Sequence, residues 1–205
     1  MVFLLLLSSC SAQAYQPYGN DKSLKIVVAN DLHYAHSSMI GNHKRSQSLS
    51  EKADGKVIPY LSEITESFIK EMAIEKPDVI ILNGDLVFNG EKENHKQFSK
   101  LLNQLDTLVL VTTGNHDIDS ADAIKITETE SYPVASVSES EFKKIYQNYG
   151  YNQSRSVDNA SLSYVVEVSD SLDIFMMDSR CDASCDNLHG GYFKANTLQW
   201  LENQL

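Results

Sequence analysis

The stretch Thr107-Leu108-Val109-Leu110-Val111-Thr112-Thr113-Gly114-Asn115-His116-Asp117 decides the fold. A β-branched, apolar run stops at a glycine, and three polar side chains follow at once. The run reads as a buried strand and the glycine as its turn. In open α/β sheets, chemistry gathers beyond the carboxyl ends of the strands. Gly114 is expected to supply the positive φ that a sharp turn needs. Asn115 offers a neutral oxygen ligand, His116 an imidazole, and Asp117 a carboxylate able either to orient that imidazole or to cap the turn.

Two upstream runs end the same way. Val79-Ile80-Ile81-Leu82 passes through Asn83 into Gly84-Asp85, and Leu24-Lys25-Ile26-Val27-Val28-Ala29-Asn30 ends in Asp31-Leu32-His33. A parallel sheet gathers these three ends along one edge. In extended backbone the side-chain period is two, so Asp31 and His33 share a face, as two ligands of one ion must. Any one of these pieces is weak, but together and in this order they point to a metal site.

Asp-x-His, then Gly-Asp, then Gly-Asn-His-Asp resembles the calcineurin-like metallophosphoesterase superfamily, from about Leu24 to the end of the chain. The resemblance implies an α/β fold: a two-sheet sandwich flanked by helices, in four layers α/β/β/α. It implies that Asp31 and His33 bind one metal, that Asp85 bridges two, and that Asn115 binds the second. It places His116 beside the phosphate as the group that protonates or stabilises the leaving group. It implies two divalent cations, and mixed Asp, His and Asn ligation suits manganese, iron or zinc better than calcium. Such a pair holds a phosphoester and activates water against it. The family's pattern continues with a further His and a Gly-His-x-His motif, and neither follows Gly114 here. His189 is the single later histidine, and it precedes the Leu198-Gln199-Trp200-Leu201-Glu202 segment, so it is not assigned to that pattern. The chain therefore reads as the amino-terminal part of a longer enzyme, with the carboxyl-terminal part missing, and the 205 residues alone are expected to bind one metal weakly and turn over poorly.

Bulk composition sets the limits. With 205 residues, 42% hydrophobic and 22% charged, the chain is long enough for one domain with a substantial core. A net charge of −11 argues against a nucleic-acid-binding surface, which needs clustered Lys and Arg. The chain divides into a signal and tether, 1–23, and the metallophosphoesterase domain, 24–205. Met1 to Ser9 is apolar, too short to span a bilayer as a helix, and reads as the core of an export signal. Leu7-Ser8-Ser9-Cys10 resembles the bacterial lipoprotein box, with Cys10 as the lipid-carrying residue and membrane lipid as a partner. Cleavage near Ala12 or Ala14 is the alternative. The remaining Cys181 and Cys185 are expected to close a small disulfide loop in an oxidising compartment.

Periodicity places the other elements. Leu61, Ile64, Phe68 and Met72 predict a sheet-covering helix that Pro77 stops. A second helix is expected over Glu91 to Leu105, with His95 solvated. Ile118 to Val137 reads as a polar lid or insertion, and Glu141 to Tyr149 as a short helix. Leu162 to Val168 and Leu172 to Asp178 read as a hairpin about Ser169-Asp170-Ser171. The last helix is expected to start at Asn196, with Leu198, Leu201 and Leu205 on the core. Lys44 and Arg45, in the polar segment after His33, are candidates for phosphate contact. The function expected is phosphomonoester or phosphodiester hydrolysis. A catalytically incomplete scaffold or binding module is the alternative.

Overall fold

The apolar runs that carry the motifs pair as expected. A computed structural model describes residues 15–19, 23–41, 44–51, 55–181 and 190–205. The strands β1 (Ile26–Ala29), β2 (Val79–Asn83) and β3 (Leu108–Thr112) form a parallel sheet in the order β1-β2-β3. Val27 pairs with Ile80, and Ile80 with Val109, so the three carboxyl ends lie side by side.

Two crossover helices cover this sheet. The first, after the short α1 (Lys44–Ser50), is α2 (Leu61–Glu75), and the second is α3 (Lys92–Leu102). A one-turn 3-10 helix, Ile58–Tyr60, leads into α2, and left-handed Lys76 (φ 44°) ends it just before Pro77. The buried face of α2 differs from the expected stripe. Leu61, Thr65, Ile69 and Met72 point inward, Phe68 is half-buried, and Ile64 is exposed. The helix is rotated so that Ile69 takes the central place.

Beyond β3 the chain builds a small hairpin, β4 (Ile124–Ile126) with β5 (Ser131–Pro133). The expected insertion is therefore ordered: Ile126 packs with Met39, Ile40 and Phe88 in a satellite cluster. Next come α4 (Glu139–Ile145), β6 (Ser156–Val157), β7 (Tyr164–Ser169) and β8 (Leu172–Met176). The last three form an antiparallel sheet in the order β6-β7-β8, with the turn of the hairpin where the sequence predicts it. Both sheets share one core, in which Ile80, Leu82 and Leu110 meet Tyr164, Val166 and Met176. This is the mixed α/β architecture expected, two sheets with helices on the outside.

Tyr164 joins the two sheets. Its hydroxyl donates to the Val111 carbonyl at 2.7 Å and accepts from the Val111 N–H at 3.0 Å. It thereby satisfies the edge of β3 that β2 leaves open.

The last helix, α5 (Ala195–Glu202), has Lys194 rather than Asn196 at its N-cap position, with no side-chain capping bond. It docks through polar contacts: Thr197 is buried and donates to Asp158 at 2.6 Å, and the Trp200 indole donates to Ser156 at 2.9 Å. Leu198 and Leu205 are exposed, against the expected apolar stripe. Cys181 is disulfide-bonded. Cys185, its expected partner, lies outside the described residues, as do Met1 to Ser9, Cys10, His43 and His189.

Candidate metal centre

The pairing of β1 and β2 continues into the loops that follow them. The N–H groups of Asp31, His33 and Tyr34 donate to the carbonyls of Gly84, Asp85 and Leu86 at 3.2, 2.9 and 2.9 Å. This zipper brings two sequence motifs, more than fifty residues apart, into one cluster. One ligand atom each from Asp31, His33 and Asp85 lies within 4.8 Å of the others. The His33 Nε2 stands 3.9 Å from an Asp31 oxygen and 3.7 Å from an Asp85 oxygen. Donors about 2.0–2.2 Å from one common ion stand about 3–4 Å from each other, so the three residues fit a divalent cation. Burial, reinforced by Lys56, holds the His33 imidazole below its ordinary pKa, which favours the neutral ring a metal needs.

The backbone at these residues is strained. Asp31, His33 and Asp85 all adopt left-handed φ values, 54°, 45° and 48°. Side chains other than glycine visit this region at a cost of roughly 1–3 kcal/mol. The loops hold the three ligands there because the zipper and the core below fix their course.

Gly114 is needed for a reason other than the one expected. Its φ is not positive. A Cβ at Gly114 would instead overlap the Asp85 carboxylate and backbone nitrogen. The glycine lets the β3 turn lie directly on the β2 turn. From there the His116 N–H donates to Asp85 Oδ1 at 3.1 Å, and Asn115 lines the same cleft as Asp31 and Asp85. The cleft measures about 270 Å³. The His116 ring stands edge-on to His33, with centroids 4.9 Å apart.

The Asp117 carboxylate is engaged by backbone donors. It is fully buried and accepts from the N–H groups of Gly114 at 2.8 Å and Val87 at 3.1 Å. Burial outweighs the opposing pull of those two donors and leaves its carboxyl pKa raised to about 7. Its geometry is that of a cap for the turn. The residue bonded to the His116 ring is Asn89, whose Oδ1 lies 2.9 Å from Nδ1.

The family model for calcineurin-like phosphoesterase matches residues 24–204. The chain belongs to the calcineurin-like phosphoesterase family. It matches no curated protein sequence. The family implies metal-dependent hydrolysis of a phosphoester, and the Asp31, His33 and Asp85 cluster is a candidate site for such a metal.

Sequence reasoning missed three residues of this phosphoesterase. His95 is completely buried rather than solvated: its Nε2 donates to the Asp117 carbonyl at 2.8 Å, and its Nδ1 meets the Tyr146 hydroxyl at 2.9 Å. Asn89, four residues past Asp85, carried no signal beyond preceding a glycine. Arg180 lines the cleft, two residues after Asp178 at the end of β8. The rule that found the other motifs, polar residues just after a β-branched or apolar run, applies to Asp178-Ser179-Arg180 as well. Arg45 instead donates to Ser131 on β5 at 3.1 Å, and neither it nor Lys44 is among the residues lining the cleft.

Proposed function

We propose that this phosphoesterase cleaves phosphomonoesters or phosphodiesters with two divalent cations, drawn from manganese, iron and zinc. The observation that carries the reading is the convergence of Asp31, His33 and Asp85 donor atoms within 4.8 Å, beside Asn115 in one cleft. Asp31 and His33 would hold one ion, Asp85 both, and Asn115 the second. When bound, such ions polarise phosphoryl oxygens and lower the pKa of water.

The chain's own residues do the rest. Asp85 uses Oδ1 to hold the His116 backbone and presents Oδ2 toward His33, so one carboxylate ties the acid's position to the metal's. Asn89 accepts from His116 Nδ1, which assigns proton delivery to Nε2. His116 then donates that proton to the departing oxygen. Asp117 holds the turn that carries both Asn115 and His116. The apolar Met1 to Ser9 followed by Cys10 supports an exported, lipid-anchored protein of bacterial type.

The test strips the protein of metal, then restores manganese, iron or zinc singly. Turnover of p-nitrophenyl phosphate and bis(p-nitrophenyl) phosphate is read alongside ion content. Bound metal and restored hydrolysis are expected, with one ion held weakly and slow turnover for the 205 residues alone, and Asp85→Asn should lose both metal and activity. No bound ion and no hydrolysis of either ester would instead identify a scaffold or binding module that keeps the fold. Incorporation of labelled fatty acid, lost in Cys10→Ala, tests the anchor.

A further inference from the structure

The described residues that line the metal cleft include one cation, Arg180, together with Asp31, Asp85 and Asn115. Its side chain is 8% exposed. Burial of a guanidinium is costly unless its donors are paired. Arg180 meets that demand only in part. One Nη2 hydrogen goes to Glu139, in the first turn of α4, at 2.6 Å. Its Nε is buried and has no hydrogen-bond partner.

The backbone of Arg180 is held on both sides. Its N–H donates to Asp178 Oδ1 at 3.0 Å, and the residue bridges to Gly191. Asp178 in turn accepts from the Thr113 hydroxyl at 3.1 Å, beside Gly114 at the end of β3. The guanidinium is thus fixed relative to the turn that carries Asn115 and His116. A held cation whose guanidinium has donors beyond the one given to Glu139, in a cleft whose other charged lining residues are Asp31 and Asp85, is suited to receive an anion.

We propose that Arg180 is the anion-binding side chain of the cleft, taking non-bridging oxygens of the phosphoryl group and favouring dianionic phosphomonoesters over diesters. This rests on the phosphoester reading above. A monoester carries close to two negative charges at neutral pH and three non-bridging oxygens. A diester carries one charge and two such oxygens. An additional guanidinium fork therefore contributes more to the monoester. Glu139 holds the guanidinium in place from the far side.

The experiment uses the full-length chain loaded with manganese. Calorimetry measures the affinity for inorganic phosphate in the parent, Arg180→Gln, Arg180→Lys and Glu139→Gln. Hydrolysis of p-nitrophenyl phosphate and bis(p-nitrophenyl) phosphate is measured in parallel. Arg180→Gln should weaken phosphate binding about tenfold or more, as expected for losing a charged hydrogen bond. It should lower kcat/KM for the monoester more than for the diester. Glu139→Gln should leave phosphate affinity within about threefold, since it removes the charge of the ion pair and keeps an oxygen that accepts from Arg180. If Arg180→Gln does not fold, Arg180→Lys replaces it. Lysine keeps the charge and lacks the fork, so a loss of about threefold or more is expected. Phosphate affinity unchanged in the Arg180 variant that folds, or reduced equally by Glu139→Gln, would overturn the proposal. So would a parent that binds no phosphate. A parent that binds phosphate through Arg180 and hydrolyses neither ester would keep this site and sink the hydrolytic reading instead.

Discussion

The Nδ1 of His116 lies 2.9 Å from the Oδ1 of Asn89, a neutral amide rather than a carboxylate. The amide oxygen only accepts, so Nδ1 carries the proton. At Nδ1 the ring is oriented by a neutral amide. Asn89→Ala should lower kcat about 10- to 100-fold, the range of a misplaced acid, and leave ion content unchanged. Mass spectrometry of bound metal beside steady-state kinetics separates the two. Metal loss in step with kcat would mean that Asn89 supports the ligands instead.

His95 gives the fold a pH dependence. Its Nε2 faces a carbonyl, so Nε2 carries the proton and Nδ1 accepts from Tyr146. Burial lowers its pKa to about 4. The unfolded chain takes up a proton below about pH 6.5, and the folded protein resists it. The stability this ring contributes is therefore present above pH 6.5 and is lost as pH falls toward 4. The full loss is roughly 3 kcal/mol, with about 2 kcal/mol gone by pH 5. Urea unfolding at pH 8 and pH 5 should show this difference, and His95→Gln should remove that part of it.

Gly114→Ala would press a methyl group into the Asp85 carboxylate. Overpacking of this kind costs roughly 1–3 kcal/mol. The damage falls on the residue assigned to both ions, so bound metal should drop sharply while the circular dichroism spectrum stays native. A variant that retains its metal would show that the two turns can separate without consequence.

Tyr164→Phe removes the donor to the Val111 carbonyl on the open edge of β3. A buried carbonyl left without its partner costs roughly 1–3 kcal/mol. The melting temperature should fall, and kcat should stay within about twofold, because the hydroxyl lies inside the sheet sandwich rather than at the cleft. A large kcat effect would mean that the position of β3 sets the chemistry directly.

The strands and their polar ends were legible because each depends on a few consecutive residues: a β-branched run, then Asp, His or Asn. Asp31, His33, Asp85 and Asn115 all come from such ends, and the structure brings them to one edge. What escaped the sequence depends on distant partners. His95 looks like one more polar residue early in a helix. Its surroundings are Tyr146, 51 residues away, and Asp117, 22 away. Ile64 fitted a helical stripe as well as Ile69 did, and only the angle at which α2 meets the sheet separates them. The Gly114 expectation failed because sequence shows that a glycine is present, and not whether φ or space demands it. The last helix was misjudged because Thr197 and Trp200 dock it through hydrogen bonds, which an apolar count overlooks.

The left-handed backbone at Asp31, His33 and Asp85 sets folding against function in this chain. Glycine at any of the three would relieve strain and remove a ligand in the same step. A redesign that ranked substitutions by melting temperature alone would find these positions attractive. It would erase the metal centre before it touched the hydrophobic core, and the resulting protein would be sturdier and inert.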